Sequence, residues 1–195
     1  SLDLMQQNSE VIIEATERVS TIVNNLKDFA RLDEAEVQTT DLHAGLDTTL
    51  TLLQHELGDS IRVMKEYGQI PMIPCSPNQL NQVFMSLLST SIESIDGIGT
   101  ITIRTFVEGD VVNVAIGDDG RGIPADQLQG LFDLSFKANN SRISMNTNLP
   151  TAFNIVRSHD GDLTVVSQVD QGTVFTIHLP VSGLEGTRVA DATSA

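Results

Sequence analysis

Cys75 is the only cysteine in 195 residues. A lone thiol excludes an intramolecular disulfide and a cysteine-based zinc cluster, and it suits a reducing compartment. Positive charge is scarce as well. Lys and Arg together number 11 against 26 Asp and Glu, for a formal net charge of -15 and a pI near 4.3. Nucleic acid and anionic lipid are approached with concentrated positive charge, so this balance excludes bulk nucleic-acid binding and predicts no membrane contact. No apolar run approaches the roughly 20 residues that span a bilayer, and no signal peptide is visible. The expected location is cytoplasmic. The chain opens at Ser1 without an initiator methionine, as a fragment of a longer protein would.

Glycine and proline are missing from Leu2 to Arg31, and that absence is itself a signal. Within it, Leu4, Val11, Ala15, Ile22 and Phe29 keep an apolar stripe at heptad-like spacing, widened by Ile12, Val19 and Leu26. The spacing predicts a long amphipathic helix. Its apolar face must be covered, either by its own domain or by a helical bundle or dimer seam. Arg31 to Thr40 is polar and reads as a linker.

The remainder has enough apolar content, at 40% hydrophobic residues overall, to bury one core. Asp41 is an N-cap candidate for a helix carrying Leu42, Leu46, Leu50, Leu53 and Leu57, which Gly58 ends. Ser60 to Tyr67 alternates as a strand, and Pro71, Pro74 and Pro77 punctuate the connection to a helix over Pro77 to Ile95. Thr100 to Val107 and Val111 to Ile116 are strands joined by Glu108-Gly109-Asp110, a hairpin signal. A short helix over Gln127 to Phe132, an aperiodic stretch from Lys137 to Asn148 and a helix over Leu149 to Ser158 follow. Asp162 to Val169 and Val174 to Leu179 make a last strand pair, and the tail from Ser182 has little to bury. This order predicts an α/β sandwich: a mixed, largely antiparallel sheet covered on one face by helices, preceded by the long helix. The expected divisions are 1–34, 35–181 and a tail over 182–195.

One strand runs directly into Asp118-Asp-Gly120-Arg-Gly122-Ile-Pro124. On its own this is either an acidic turn, since Asp-Gly is common in turns, or a place where glycines let the backbone approach a flat ligand. Its neighbours decide between the two. Asn25-Leu-Lys-Asp-Phe-Ala-Arg-Leu-Asp33, Ser76-Pro-Asn-Gln-Leu-Asn-Gln-Val83, Asp118 to Pro124, Phe132 with Phe136, and Gln171-Gly-Thr-Val-Phe-Thr-Ile-His-Leu-Pro180 stand in that order. Together they resemble the catalytic region of two-component sensor histidine kinases, in the ATPase superfamily that also contains gyrase B and MutL. The match is to the end of the second dimerisation helix, the approach to the N box, the first glycine box, the F box and the terminal glycine box.

The resemblance implies ATP or ADP with magnesium as cofactors. Asp118 would accept a hydrogen bond from the exocyclic amine of adenine, Gly120 and Gly122 would admit the purine, and Thr173 would donate into the pocket. It also implies a homodimer through the N-terminal helix, an upstream sensor region, and a response-regulator receiver domain as partner.

Departures from the family pattern matter as much. Thr90 stands where a side-chain amide holds magnesium, and Ser86 replaces another amide one turn earlier. A hydroxyl is the poorer ligand for a hard cation. In the lid, Ser144, Asn146 and Asn148 occupy the places of glycines whose backbone N–H groups cradle phosphates. Asn tolerates the left-handed backbone but adds side-chain bulk. Lys137 and Arg142 could supply the missing cation.

The phosphoacceptor histidine of the family stands on a helix that would precede this sequence. His55-Glu56 imitates the usual His-acid pair but falls on the helix expected to cover the sheet, which makes it a surface residue. His178 alternates within the last strand as a structural residue, and His43 and His159 complete the four histidines of the sequence. No residue within the sequence is therefore assigned as catalytic. Two readings stay open: the ATP-binding region of a histidine kinase, or a non-catalytic pseudokinase or adapter that keeps the fold for dimerisation and docking.

Overall fold

The computed structural model describes residues 36–128, 130–131 and 149–183, all within one compact unit that begins at Glu36. The expected N-terminal helix, Phe132 and Phe136, the lid and most of the tail lie outside the described residues. In chain order the elements are β1 (Gln38–Thr40), α1 (Leu42–Leu52), α2 (Gln54–Leu57), β2 (Ile61–Tyr67), β3 (Ile73–Cys75), α3 (Pro77–Ser94), β4 (Gly99–Glu108), β5 (Val111–Asp118), α4 (Ala125–Leu128), α5 (Leu149–Ser158), β6 (Asp162–Gln168) and β7 (Gly172–Pro180). None of the described helices is long and apolar enough to cross a membrane.

Five strands form one sheet in the order β2-β4-β5-β7-β6. β2 pairs parallel with β4, while β4 with β5, β5 with β7 and β7 with β6 are antiparallel. Alternation decides which face is covered. Ile101 and Ile103 of β4, Val112, Val114 and Ile116 of β5, and Phe175, Ile177 and Leu179 of β7 are all buried. Opposite them α3 presents Leu80, Val83, Phe84, Leu87 and Leu88, and α5 presents Ala152, Ile155 and Val156. The expected sandwich with helices over one face is what forms.

Helix α3 shows why packing outweighs propensity here. Its second half carries Ser86, Ser89, Thr90, Ser91 and Ser94, each costing about 0.5 kcal/mol in a helix relative to alanine. Each large apolar side chain that the same helix buries returns about 1.5–3 kcal/mol. The buried stripe wins by several-fold, which leaves the hydroxyls to serve other ends.

Three local features differ from the sequence expectation. The helix starting at Leu42 does not continue unbroken to Gly58 but is interrupted at Leu53, where φ is -85° and ψ is 4°. Its threonines explain the break: Thr48, Thr49 and Thr51 donate to the carbonyls of Ala44, Gly45 and Asp47 at 2.8, 2.9 and 2.9 Å. Such back-bonding competes for helix carbonyls and bends the helix. The Asp41 cap is as expected, with its Oδ1 accepting from the His43 N–H at 2.9 Å.

Secondly, the polar linker and the proline-marked connection contain β1 and β3, which pair with Gln38 opposite Cys75 and Thr40 opposite Ile73. Strands of three residues are too short to show a period. Thirdly, the short helix starts at Ala125, not Gln127, because the Pro124 carbonyl accepts from Gln127 and Leu128 N–H groups at 2.9 and 3.3 Å. Proline pre-sets the backbone for a helix start.

His159 ties two ends of the helical layer together. It is 2% exposed; its Nδ1 lies 2.8 Å from the Ile155 carbonyl, and its Nε2 accepts from the Ser76 N–H at 3.1 Å, at the start of α3. That pattern requires a neutral ring, and burial holds the imidazole below its ordinary pKa. The unfolded chain takes up a proton below about pH 6.5 while the folded one resists, so stability falls as pH drops through that value. Urea unfolding should show a lower midpoint at pH 5 than at pH 7.5, and in an imidazole NMR titration the His159 ring should protonate below the ordinary histidine range.

Candidate functional site

β5 delivers Asp118 to the end of the sheet beneath the C-terminal turn of α3, with Asp118 opposite Ile101 on one side and Thr173 on the other. The residue is 8% exposed. Its Oδ1 accepts from the Ser94 hydroxyl at 2.7 Å and from the Gly120 N–H at 3.0 Å. Its Oδ2 is buried and has no hydrogen-bond partner. Burial pushes the carboxyl above its ordinary range, against the pull of Ser94, then Gly120, then Ser91 and the Thr173 backbone. Ser91 is near enough to favour the charged form, yet its Oγ also lacks a well-formed hydrogen bond.

A buried carboxylate oxygen without a partner is costly, on the order of 1–3 kcal/mol or more. It is a ready acceptor for a ligand N–H. The base-binding role that the resemblance assigns to Asp118 therefore fits the geometry.

The glycines that follow are held by protein, not by open space. A Cβ on Gly120 would run into the Ser94 hydroxyl and carbonyl; one on Gly122, where φ is +68°, would run into the Gln168 carbonyl. Two further bonds bolt the turn down: Arg121 N–H to the Ser94 carbonyl at 3.0 Å, and Asp170 N–H to the Arg121 carbonyl at 2.8 Å. The sequence reading gave these glycines to ligand approach. The close approach seen is that of the turn to α3 and to the β6–β7 connection.

Thr173 is 2% exposed and lies 2.8 Å from Ser167 Oγ. Ser167 in turn accepts from the Ile123 N–H at 2.7 Å and reaches the Gly172 carbonyl at 3.0 Å. Either hydroxyl can be the donor between Ser167 and Thr173, so Thr173 has its own hydrogen to give onward when Ser167 donates to it.

On α3, Thr90 donates its hydroxyl to the Ser86 carbonyl at 2.8 Å, and Ser86 Oγ is buried without a partner. Among the described residues no group of three or more His, Cys, Asp or Glu is placed to hold a metal. A Thr90 lone pair is thus a single weak ligand for a cation that demands a full octahedron of oxygens. Glu93, one turn on, is raised by burial and by the charge of Glu56, with Arg121 opposing. Lys137 and Arg142 lie outside the described residues.

The histidines fall away from this site. His55 is exposed on α2. His43 stacks flat on Tyr67 at 4.3 Å and bonds Thr105 at 2.8 Å. His178 sits between Asn113 at 2.6 Å and Thr164 at 2.9 Å. Sequence reasoning missed Ser91, Ser94 and Ser167. Ser94 was within reach of it, being one turn past Thr90 and two past Ser86.

A family model, "Histidine kinase-, DNA gyrase B-, and HSP90-like ATPase", matches residues 75–183, more than half of the chain. The chain belongs to this ATPase family. The matched span contains Thr90, Asp118, Gly120, Gly122 and Thr173. Sensor histidine kinase ZraS of Escherichia coli strain K12 is 27% identical over 179 residues, covering 90% of this chain but 38% of that protein. The chain thus spans well under two thirds of the length of the curated relative it matches. The catalytic domain of histidine kinase ThkA has the same fold, with a TM-score of 0.68 at 19% identity over 75% of this chain and 97% of the domain. ThkA solved in complex with the response regulator protein TrrA superposes with a TM-score of 0.69 at 18% identity, over 88% of this chain and 50% of that one.

Proposed function

We propose that this chain is the ATP-binding region of a two-component sensor histidine kinase, reading adenine through Asp118. The unpartnered Oδ2 of that buried carboxylate carries the proposal. Asp118 accepts from the exocyclic amine, Thr173 borders the base, and Lys137 and Arg142 are the side chains whose charge would suit the phosphates. Phosphoryl transfer goes to a histidine outside these residues and then to an aspartate of a receiver domain. Catalysis of this kind rests on positioning and on stabilised phosphate charge. The likeness to sensor histidine kinase ZraS and to ThkA, solved with its response regulator, supports the signalling role. A homodimer through residues 1–34, an upstream sensor region and a cytoplasmic location belong to the same proposal.

A second reading, a non-catalytic adapter retaining the fold, is favoured by Thr90. Its hydroxyl stands where the family places an amide, with the hydrogen already given to Ser86. Calorimetry with ATP and magnesium, ADP and adenosine separates the two. Affinity that tightens with magnesium supports the kinase, a response to the base alone supports the adapter, and silence toward all three overturns nucleotide binding. Thr90→Asn restores the amide, and is expected to tighten magnesium-ATP about tenfold relative to ATP in chelator, roughly 1.4 kcal/mol for one better ligand.

A further inference from the structure

Asp118 has two carboxylate oxygens, and the protein treats them differently. While Ser91 and the Thr173 backbone pull more weakly on the same carboxyl, the two donors with well-formed bonds, the Ser94 hydroxyl at 2.7 Å and the Gly120 N–H at 3.0 Å, converge on Oδ1. Neither reaches Oδ2. A carboxylate bonded through one oxygen by two donors from different directions is fixed in rotation, so its free oxygen points one way.

Ser94 is the adjustable member of that pair. A hydroxyl carries one hydrogen, and Ser94 Oγ also lies 2.8 Å from the Ser91 carbonyl. A bond to an ionised oxygen is roughly twice as strong as one to a neutral carbonyl. The hydrogen therefore goes to Asp118 while the carboxylate is charged. The backbone locks this choice in, because Gly120 and the Arg121 N–H are pressed against the same residue.

We propose that Ser94 is a positioning residue that fixes the Asp118 carboxylate so that Oδ2 alone meets the purine, making the site selective for 6-amino over 6-oxo purines. This rests on the reading that Asp118 contacts the base. An adenine amine donates to a fixed acceptor. A hypoxanthine presents its O6 there, acceptor against acceptor, with its N1–H donor one atom away. A carboxylate held still cannot turn to find that N1–H; a carboxylate released from Ser94 can.

The test compares ADP and IDP binding by calorimetry in the wild-type chain, Ser94→Ala and Ser94→Thr. Ser94→Ala is expected to lose about tenfold in ADP affinity and less than threefold in IDP affinity, which narrows the discrimination, and Ser94→Thr is expected to recover it. Equal losses for both nucleotides would mean a merely structural serine and overturn the proposal, as would no change in either. A second measurement needs no ligand. In carbon-detected carboxyl NMR of the free protein, Ser94→Ala should move the Asp118 titration to higher pH. An unmoved titration overturns the clamp. Wild-type protein that binds neither nucleotide defeats the adenine reading of Asp118 and the selectivity with it, while the carboxyl titration still reports separately on the clamp.

Discussion

Asp118→Asn is expected to weaken adenine-nucleotide binding about 100-fold while leaving the domain at least as stable as the parent. The loss has two parts. A charge-assisted hydrogen bond contributes about 1.5–3 kcal/mol, or ten- to 100-fold. The asparagine then keeps its oxygen on Ser94 and the Gly120 N–H, which turns its NH2 toward the base amine, donor against donor. Stability moves the other way because the folded carboxyl is held above its ordinary range. A raised carboxyl favours folding below the unfolded pKa of about 3.9, and that contribution is lost as pH rises through the folded value. At neutral pH the desolvated charge therefore works against the fold, and an amide removes it. Calorimetry with ADP and thermal unfolding at pH 7 read the two effects separately. A variant that binds ADP as the parent does would remove Asp118 from the site.

Gly172→Ala is expected to be the most damaging single methyl in the domain. Gly172 opens β7 at φ +94°, a region that costs an alanine about 1–2 kcal/mol. The added Cβ would also run into the Asp118 carbonyl, with Asp119 Cα at 3.0 Å. Nothing there is a movable side-chain tip, so β7 must separate from β5 where Thr173 faces Asp118. A loss of about 3 kcal/mol or more follows, roughly a 10 °C fall in melting temperature for a domain of this size. Gly109→Ala in the β4–β5 turn is the control. Its φ is +60° but nothing lies within 4 Å of the new Cβ, so only the backbone strain remains. Equal melting temperatures for the two variants would show that the contact with Asp118 costs nothing.

What could be read from the sequence was whatever has a period or a punctuation mark. α3 and α5 repeat apolar residues at helical spacing, and β4 and β5 alternate around Glu108-Gly109-Asp110, so each was placed to within a few residues. β1 and β3 have neither signal. Gln38–Thr40 and Ile73–Cys75 become strands only because they meet each other. Asp118 was legible because a carboxylate ending an apolar strand is unusual, whereas Ser94 was hidden. A serine near a helix end is commonplace, and its importance lies in a contact across 24 residues that no local pattern encodes. What Gly120 and Gly122 pack against was hidden for a similar reason. Sequence says that a side chain is absent, and only the fold says what fills the space.

The position of β7 in the sheet has a consequence for biosynthesis. The last of the described strands to leave the ribosome enters between β5 and β6, so until Gly172–Pro180 emerges both neighbours have an open edge. Unpaired edges invite pairing with other chains. Until then Asp118 also lacks Thr173 opposite it, so the nascent domain brings these two residues together and closes its sheet in the same late step.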